Sequence, residues 1–330
     1  MITMILAMRT FLIDTDTASD DAVALIMALR HPGVRVAGVT VVAGNVPLHK
    51  GLRNALYTVE LCGRGDNVPI YAGAEQPLTR KLAHAEWFHG ADGLGDQDYP
   101  PPTIAARSEH AVDAILSTVA ANPGLTIVTL GPLTNIALAL QRNPSIANQV
   151  GRCVIMGGNP CCEGNVTPAA EYNIWVDPEA ARIVLHSGMP IELVGWQLCR
   201  GEANLRPADI LRIRDLDTPL AHFAIDANRT AMEANRIQSG EIGIALPDPV
   251  AMAVALDLSV VTSASHHHVE VETTSELTRG MTVVDRLNVS HDARNRGGAW
   301  KDLAGKPPNV SVVWAIDIPK WKTLLLNALA

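Results

Sequence analysis

The sequence predicts an α/β protein whose central sheet is mostly parallel and covered by helices on both faces. Short apolar runs alternate with helix-period segments from residue 9 onward, and glycine-containing turns such as LGPLTN and MGGN follow the apolar runs. No low-complexity linker or internal repeat interrupts this pattern. Parallel strands need helical crossovers, so this alternation is what such a sheet requires.

Taken in order, residues 9 to 14 read as the first strand and 20 to 31 as a helix that HPG ends. VRVAGVTVV, residues 34 to 42, is the second strand, and LHKGLRNALYTVELCGRG carries its helix. LTIVTLGPLTNIALALQRNP, QVGRCVIMGGN and DPEAARIVLHSGMPIELVGW continue the alternation, which gives a Rossmann-like arrangement. The C-terminal stretches HHHVEVETTSELTRGMTVVDRL and NVSVVWAIDIPKWKTLLLNAL read as strands and a closing helix packed beside the main sheet. Residues 9–330 are expected to form one domain. Residues 75–107 and 200–245 leave the alternation and are rich in polar and turn residues, which suits lids or insertions over a site. Residues 1–8 read as a leader or a disordered start; they are apolar but lack the basic n-region and cleavage site of a signal peptide.

Composition narrows the function. The 330 residues are 48% hydrophobic and 18% charged, with a formal charge of −8 and no Lys/Arg-rich block. Such a balance argues against nucleic acid as a partner. No run approaches the ~18 apolar residues of a membrane span. Five cysteines suggest reduced thiols rather than a disulfide framework, and a cytoplasmic location is expected.

Ligands of such sheets sit outside the carboxyl ends of the strands, so those ends were read first. FLIDTDTASDDAVALIMAL packs Asp14, Asp16, Asp20 and Asp21 directly after an apolar run, with no Lys or Arg between Arg9 and Arg30. Mutual repulsion of this kind must be offset by protons, basic partners or a cation. Asp20 and Asp21 suit the first turn of a helix. Helix capping leaves Asp14 and Asp16 unexplained, so a hard cation is expected. The second strand ends near Asn45, which by itself is an ordinary turn residue. GNVTPAAEYNIWVDPEAA brings Asn165, Glu171 and Asn173, an amide and carboxylate set suited to a polyhydroxyl ligand. LPDPVAMA presents Asp248 between two prolines at a helix start.

Together DTDTASDDAVAL, TVVAGNV, HGADGLGD, TLGPLTNIALAL, MGGN with GNVTPAAEYNIWVDPEAA, and LPDPVAMA resemble the nucleoside hydrolases of the inosine/uridine type. The resemblance runs in consistent order from about residue 10 to 260. It implies a bound Ca²⁺ held by Asp16, Asp21, Asp248 and the main-chain carbonyl of Leu130. It also implies that Asp16 takes a proton from the attacking water, that Asp20, Asn165, Glu171 and Asn173 grip ribose hydroxyls, and that Asn45 orients the water or Asp16. Asp14 is then a supporting residue. His89 matches a family histidine beside the leaving base, and Trp87 and Phe88 are expected to contact that base. Trp196 and Arg229 are further candidates. The implied partner is a small ribonucleoside, with hydrolysis serving base salvage, and family precedent suggests a homodimer or homotetramer.

One position departs from the family pattern. Pro247 stands where pyrimidine or broad-specificity members carry His and purine-preferring ones Trp, so the base class stays open. Two other readings remain with it: a ribose- or nucleoside-binding module without turnover, and a hydrolase of an unusual N-riboside whose base leaves easily. The aspartate-nucleophile phosphatases share an Asp-x-Asp strand end, but would leave Asn165, Glu171, Asn173 and Asp248 without a role. His266, His267 and His268 are adjacent on an expected strand, where neighbours face opposite sides, so at most two could act together. A solvated strand is the simpler reading. Cys161 and Cys162 lie between two motifs and read as small loop residues that could line the pocket.

Overall fold

The first strand, β1 (Arg9–Thr15), lies near the middle of an eight-stranded sheet in a computed structural model that describes residues 8–292, 294 and 306–330. Except for Met8, the expected leader lies outside the described residues. After β1 come α1 (Ser19–Arg30), β2 (Val34–Val41), α2 (Leu48–Leu61), β3 (Ile70–Ala72), α3 (Glu86–His89) and α4 (Ala111–Ala121). β4 (Thr126–Thr129), α5 (Thr134–Arg142), β5 (Arg152–Met156), α6 (Tyr172–Val176), α7 (Pro178–Leu185) and β6 (Ile191–Val194) follow. Four helices come next: α8 (Pro207–Arg214), α9 (Pro219–Asp226), α10 (Arg229–Ser239) and α11 (Pro247–Leu256). The chain closes with β7 (Val261–His267), β8 (Val269–Val271), β9 (Thr282–Val284), β10 (Val310–Ile316) and α12 (Ile318–Leu329).

The sheet order is β3-β2-β1-β4-β5-β6-β10-β7, parallel except that β7 runs antiparallel to β10. The C-terminal strands therefore differ from expectation. β10 and β7 extend the main sheet, and only β8 and β9 form a separate two-stranded ribbon. Periodicity identifies a strand but not its partner; β10 joins because Ser311 and Val312 pair in parallel with Glu192 and Leu193 of β6.

Two apolar layers cover the sheet. One gathers α1, α2, α11 and α12, and the other α4, α5 and α7. After Asp21, α1 reads AVALIMAL, apolar all round, and every residue from Ala22 to Leu29 is buried. A helix without a polar face must be enclosed, and α11 packs along it with the equally apolar VAMAVAL. Burial of α1 fixes its N-terminus, and with it Asp20 and Asp21, under the carboxyl ends of the strands. β1 has β2 on one side and β4 on the other, so the order reverses there and opens a crevice. Among the described residues, no helix is long and apolar enough to cross a membrane.

Candidate active site

The crevice holds a cavity of about 260 Å³, with Asp20, Asp248, Leu130, Met156 and Glu171 among its lining residues. Every strand from β1 to β6 except β3 delivers something at its end: Asp16 after β1, Asn45 after β2, Leu130 after β4, Met156 on β5, Trp196 after β6. Among the described lining residues there is no lysine or arginine.

Four carboxylates are packed at and just beneath the floor: Asp20 and Asp248 line the cavity, whereas Asp16 and Asp21 are fully buried behind it and do not line it. Asp20, Asp21 and Asp248 bring carboxylate oxygens within 4.8 Å of one another, all buried. Asp16, fully buried, sits against them, with Oδ2 accepting a 2.6 Å hydrogen bond from the Asn45 amide. Two glycines make room for it. A side chain at Gly44 would collide with Asp16 Oδ2, and a Cβ at Gly131 would stand 2.6 Å from Oδ1. Asp21 is the best-held member, accepting from the Thr15 hydroxyl at 2.5 Å and the Ala18 amide at 2.9 Å. Asp16 Oδ1 and Asp20 Oδ1 are buried without a hydrogen-bond partner.

Electrostatics follow from this enclosure. Burial pushes Asp20 up to about 6, and burial plus the Asp20 charge does the same to Asp21. Asp16 is driven well above the carboxylate range by burial and then by Asp21 and Asp20; Asp248 is driven up by burial and then by all three. Partnerless buried oxygens on hard donors, with no lysine or arginine among the described lining residues, fit a hard divalent cation. Among the described residues the Leu130 carbonyl accepts from Asn173 Nδ2, at 2.8 Å, and a second lone pair remains for an ion.

Asp14 does not reach the cavity. Its Oδ1 accepts from Thr40 at 2.5 Å and Asn135 at 2.9 Å, tying β1 to β2 and α5, and burial pushes its carboxyl up to about 7. Asn165, Glu171 and Asn173 do line it. Glu171 caps α6, accepting from the amides of Gly158, Asn173 and Ile174, yet burial outweighs these bonds and raises it to about 7. Asn165 Oδ1 accepts from the Tyr172 amide at 2.9 Å.

The rim comes from the two segments that leave the alternation. Trp87, Phe88 and His89 on α3, with His84, line one side; Gln238 of α10, Ala245 and Pro247 line the other. Gln238 Nε2 donates to the Asn165 carbonyl, linking α10 to the loop before α6. His89 is buried, its Nδ1 2.9 Å from Ser19 Oγ and 3.8 Å from Asp20 Oδ1. Burial holds it down to about 4 against the pull of Asp21, so the imidazole is neutral near pH 7. Trp196 is buried at the cavity, whereas Arg229 is exposed and does not line it. Neither Cys161 nor Cys162 is a lining residue.

Sequence reasoning passed over His84, Tyr172, Trp175 and Gln238, all of which line the cavity. His84, Tyr172 and Trp175 lie within the very segments singled out for His89 and Glu171, so proximity could have found them. Gln238 lies in the 200–245 segment expected over the site, but no local pattern marked it, because α10 reaches the cavity through packing against α3.

Comparison with known proteins agrees with this geometry. Residues 11–323 match the family model described as inosine-uridine preferring nucleoside hydrolase. The chain is 38% identical over 324 residues to the pyrimidine-specific ribonucleoside hydrolase RihA of Shewanella sp. (strain MR-7), covering 98% of this chain and 96% of that one. Its structure superposes on a plant nucleoside hydrolase, PpNRh1, with a TM-score of 0.89 at 32% identity, covering 98% and 99% of the two chains. It also superposes on a purine-preferring ribonucleoside hydrolase from Gardnerella vaginalis, with a TM-score of 0.86 at 30% identity, covering 97% and 98%.

Proposed function

The chain belongs to the inosine-uridine preferring nucleoside hydrolase family and is a hydrolase of N-glycosyl compounds; from that premise we propose that it uses Ca²⁺ to cleave a ribonucleoside, preferably a pyrimidine one, to ribose and free base. The observation that carries this reading is the buried floor of Asp16, Asp20, Asp21 and Asp248, without a basic partner among the described lining residues and with two partnerless oxygens. The pyrimidine preference is supported by the RihA name of relatives 37% to 38% identical over nearly the whole chain.

Asp16, Asp21, Asp248 and the Leu130 carbonyl would hold the ion. When bound, Ca²⁺ supplies the positive charge that makes water acidic enough to attack at neutral pH and that anchors ribose hydroxyls. Asp16 accepts the water's proton, and the oxygen adds to the anomeric carbon as the bond to the base breaks. Positive charge then develops on the ribose ring, as in other glycoside hydrolyses, and the acidic floor stabilises it. Asp20, Asn165, Glu171 and Asn173 bind the ribose hydroxyls, while Asn45 holds Asp16 through its amide. His89 acts at the other end. In the tautomer in which Ser19 donates to Nδ1, 2.9 Å away, the neutral ring carries its proton on Nε2 and offers that N–H to the departing base. Trp87, Phe88 and Trp196 enclose the planar base.

The deciding experiment is reducing-sugar release from uridine, cytidine, inosine, adenosine, guanosine and a nitrophenyl riboside, with and without a calcium chelator. The expected result is release from natural nucleosides, fastest for uridine and cytidine, lost with chelator and restored by calcium. Chelator-resistant turnover would overturn the calcium reading, and purine nucleosides turning over faster would overturn the base preference.

A further inference from the structure

A second set of metal-type donors lies outside the crevice. His186, at the C-terminal end of α7, and His268 and Glu270, flanking Val269 of β8, place one donor atom each within 4.8 Å of the others. Glu270 stands between the rings: Oε2 is 3.0 Å from His186 Nε2, and Oε1 is 3.1 Å from His268 Nε2.

The proton count leaves room for a metal ion as well as for an ion pair. His268 Nδ1 lies 3.1 Å from the Pro307 carbonyl, which can only accept, so Nδ1 carries a hydrogen. In the neutral ring Nε2 is then a lone pair aimed at a carboxylate oxygen. Two acceptors 3.1 Å apart need a positive charge between them, either a second proton or a metal ion. An Nδ1–H bound to a backbone carbonyl, leaving Nε2 free, is how metal-ligating histidines are usually oriented.

The frame is held independently of any ion. Asn309 donates from Nδ2 to the carbonyls of Leu185 and Val269, at 3.1 and 3.0 Å, and its Oδ1 accepts from the Val269 amide at 2.8 Å. Leu185 precedes His186, and Val269 separates His268 from Glu270, so one side chain sets the spacing of all three donors. The C-terminal end of a helix also favours positive charge. Two protein cations compete for Glu270: Lys306 at 3.5 Å and Arg182 at 3.7 Å. Both are farther than the imidazoles, and their side chains are 44% and 55% exposed, free to swing into water. A groove of about 790 Å³, lined by His186, His268 and Lys306, gives an ion access.

We propose that His186, His268 and Glu270 form a zinc-class metal site that fastens the β8–β9 ribbon to the end of α7. Two imidazoles and a carboxylate are a common zinc donor set, and the three donor atoms already lie within 4.8 Å of one another, so small side-chain shifts bring them to zinc–ligand bonds of ~2.0–2.2 Å. This site shares no residue with the carboxylate floor and does not depend on the function proposed for it.

The test is titration of the full chain with ZnCl₂ by calorimetry in excess CaCl₂, so that hard-oxygen sites are saturated, together with thermal unfolding at the same zinc levels. One zinc per chain is expected, with a rise in melting temperature from the linkage between binding and folding. His186→Gln, His268→Gln and Glu270→Gln should each weaken binding about 10- to 100-fold. His266→Gln, in the same groove but outside the trio, should retain it. Wild-type protein that takes up no zinc overturns the proposal, as do trio variants that bind like wild type. Should a trio variant misfold, its melting temperature in chelator falls below that of wild type, and the wild-type stoichiometry and the His266→Gln result still decide.

Discussion

The floor and the rim of the cavity are built on opposite terms. At the floor, Asp16, Asp20, Asp21 and Asp248 hang from strand ends and helix starts inside the core and are almost wholly buried. Around the rim, α3, α10 and the loops between them carry Trp87, Phe88, His89 and Gln238, and Trp87 is 62% exposed. A buried cluster of like charges can be kept only where the surrounding fold fixes every group, so its chemistry is committed. Rim side chains stand on short helices and loops whose packing can change without moving the sheet. On the proposed function, bond cleavage falls to the floor and the choice of base to the rim.

The largest effects should come from the floor. Asp16→Ala should lower kcat by about 10² to 10⁴ with little change in folding, because it removes the proton acceptor. Asp248→Ala should abolish calcium binding in a titration and turnover with it. Wild-type-like hydrolysis by both variants would break the division between floor and rim.

Next in size is a pH effect confined to the floor and its neighbours. Asp14 and Glu171 are raised to about 7, Asp20 and Asp21 to about 6. Between about pH 4 and pH 7 the folded chain thus holds protons that the unfolded chain has released, and stability falls as pH rises through that window. Asp14, raised from 3.8 to about 7, alone represents at most ~4 kcal/mol. In chelator the melting temperature should drop between pH 5 and pH 8; calcium, which favours the ionised carboxylates, should flatten the drop. A melting temperature that rises with pH in chelator would contradict the burial argument.

How much of this was legible beforehand follows the same division. The floor residues Asp16, Asp20, Asp21 and Asp248 stand in short contiguous motifs, because a strand end and the helix after it are local structure. β1, α1 and β2 were equally plain from periodicity. By contrast, the place of β10 and β7 in the main sheet depends on a pairing with β6 that no local pattern encodes. Gln238 reaches the cavity through the packing of α10 on α3, again a long-range contact. The histidine run 266–268 teaches the same lesson from the other side. The rule that adjacent strand residues diverge held the three apart, but the groups that meet His268 are Glu270, two positions along, and His186, delivered from α7.

A third prediction sharpens the boundary. His89 is a rim residue that touches the floor through Ser19 and Asp20. If it serves the leaving base, His89→Ala should cost about 10²-fold in kcat on uridine, whose base leaves poorly, and almost nothing on the nitrophenyl riboside. Equal losses on both substrates would assign His89 to the floor, as a group that positions Asp20.

The smallest effects belong to the aromatic rim, and they separate its buried part from its exposed part. Trp196 is buried, so Trp196→Ala removes a full ring face from the bound base and should raise KM roughly tenfold. Trp87 already spends more than half its surface in water. It gains less on binding, and Trp87→Ala should raise KM only about two- to threefold. Both should leave kcat on the nitrophenyl riboside near wild type, since both rings are assigned to the base. A fall in kcat for Trp87→Ala would mean that α3 must close over the nucleoside before the floor can act, which would join the two regions into a single catalytic unit.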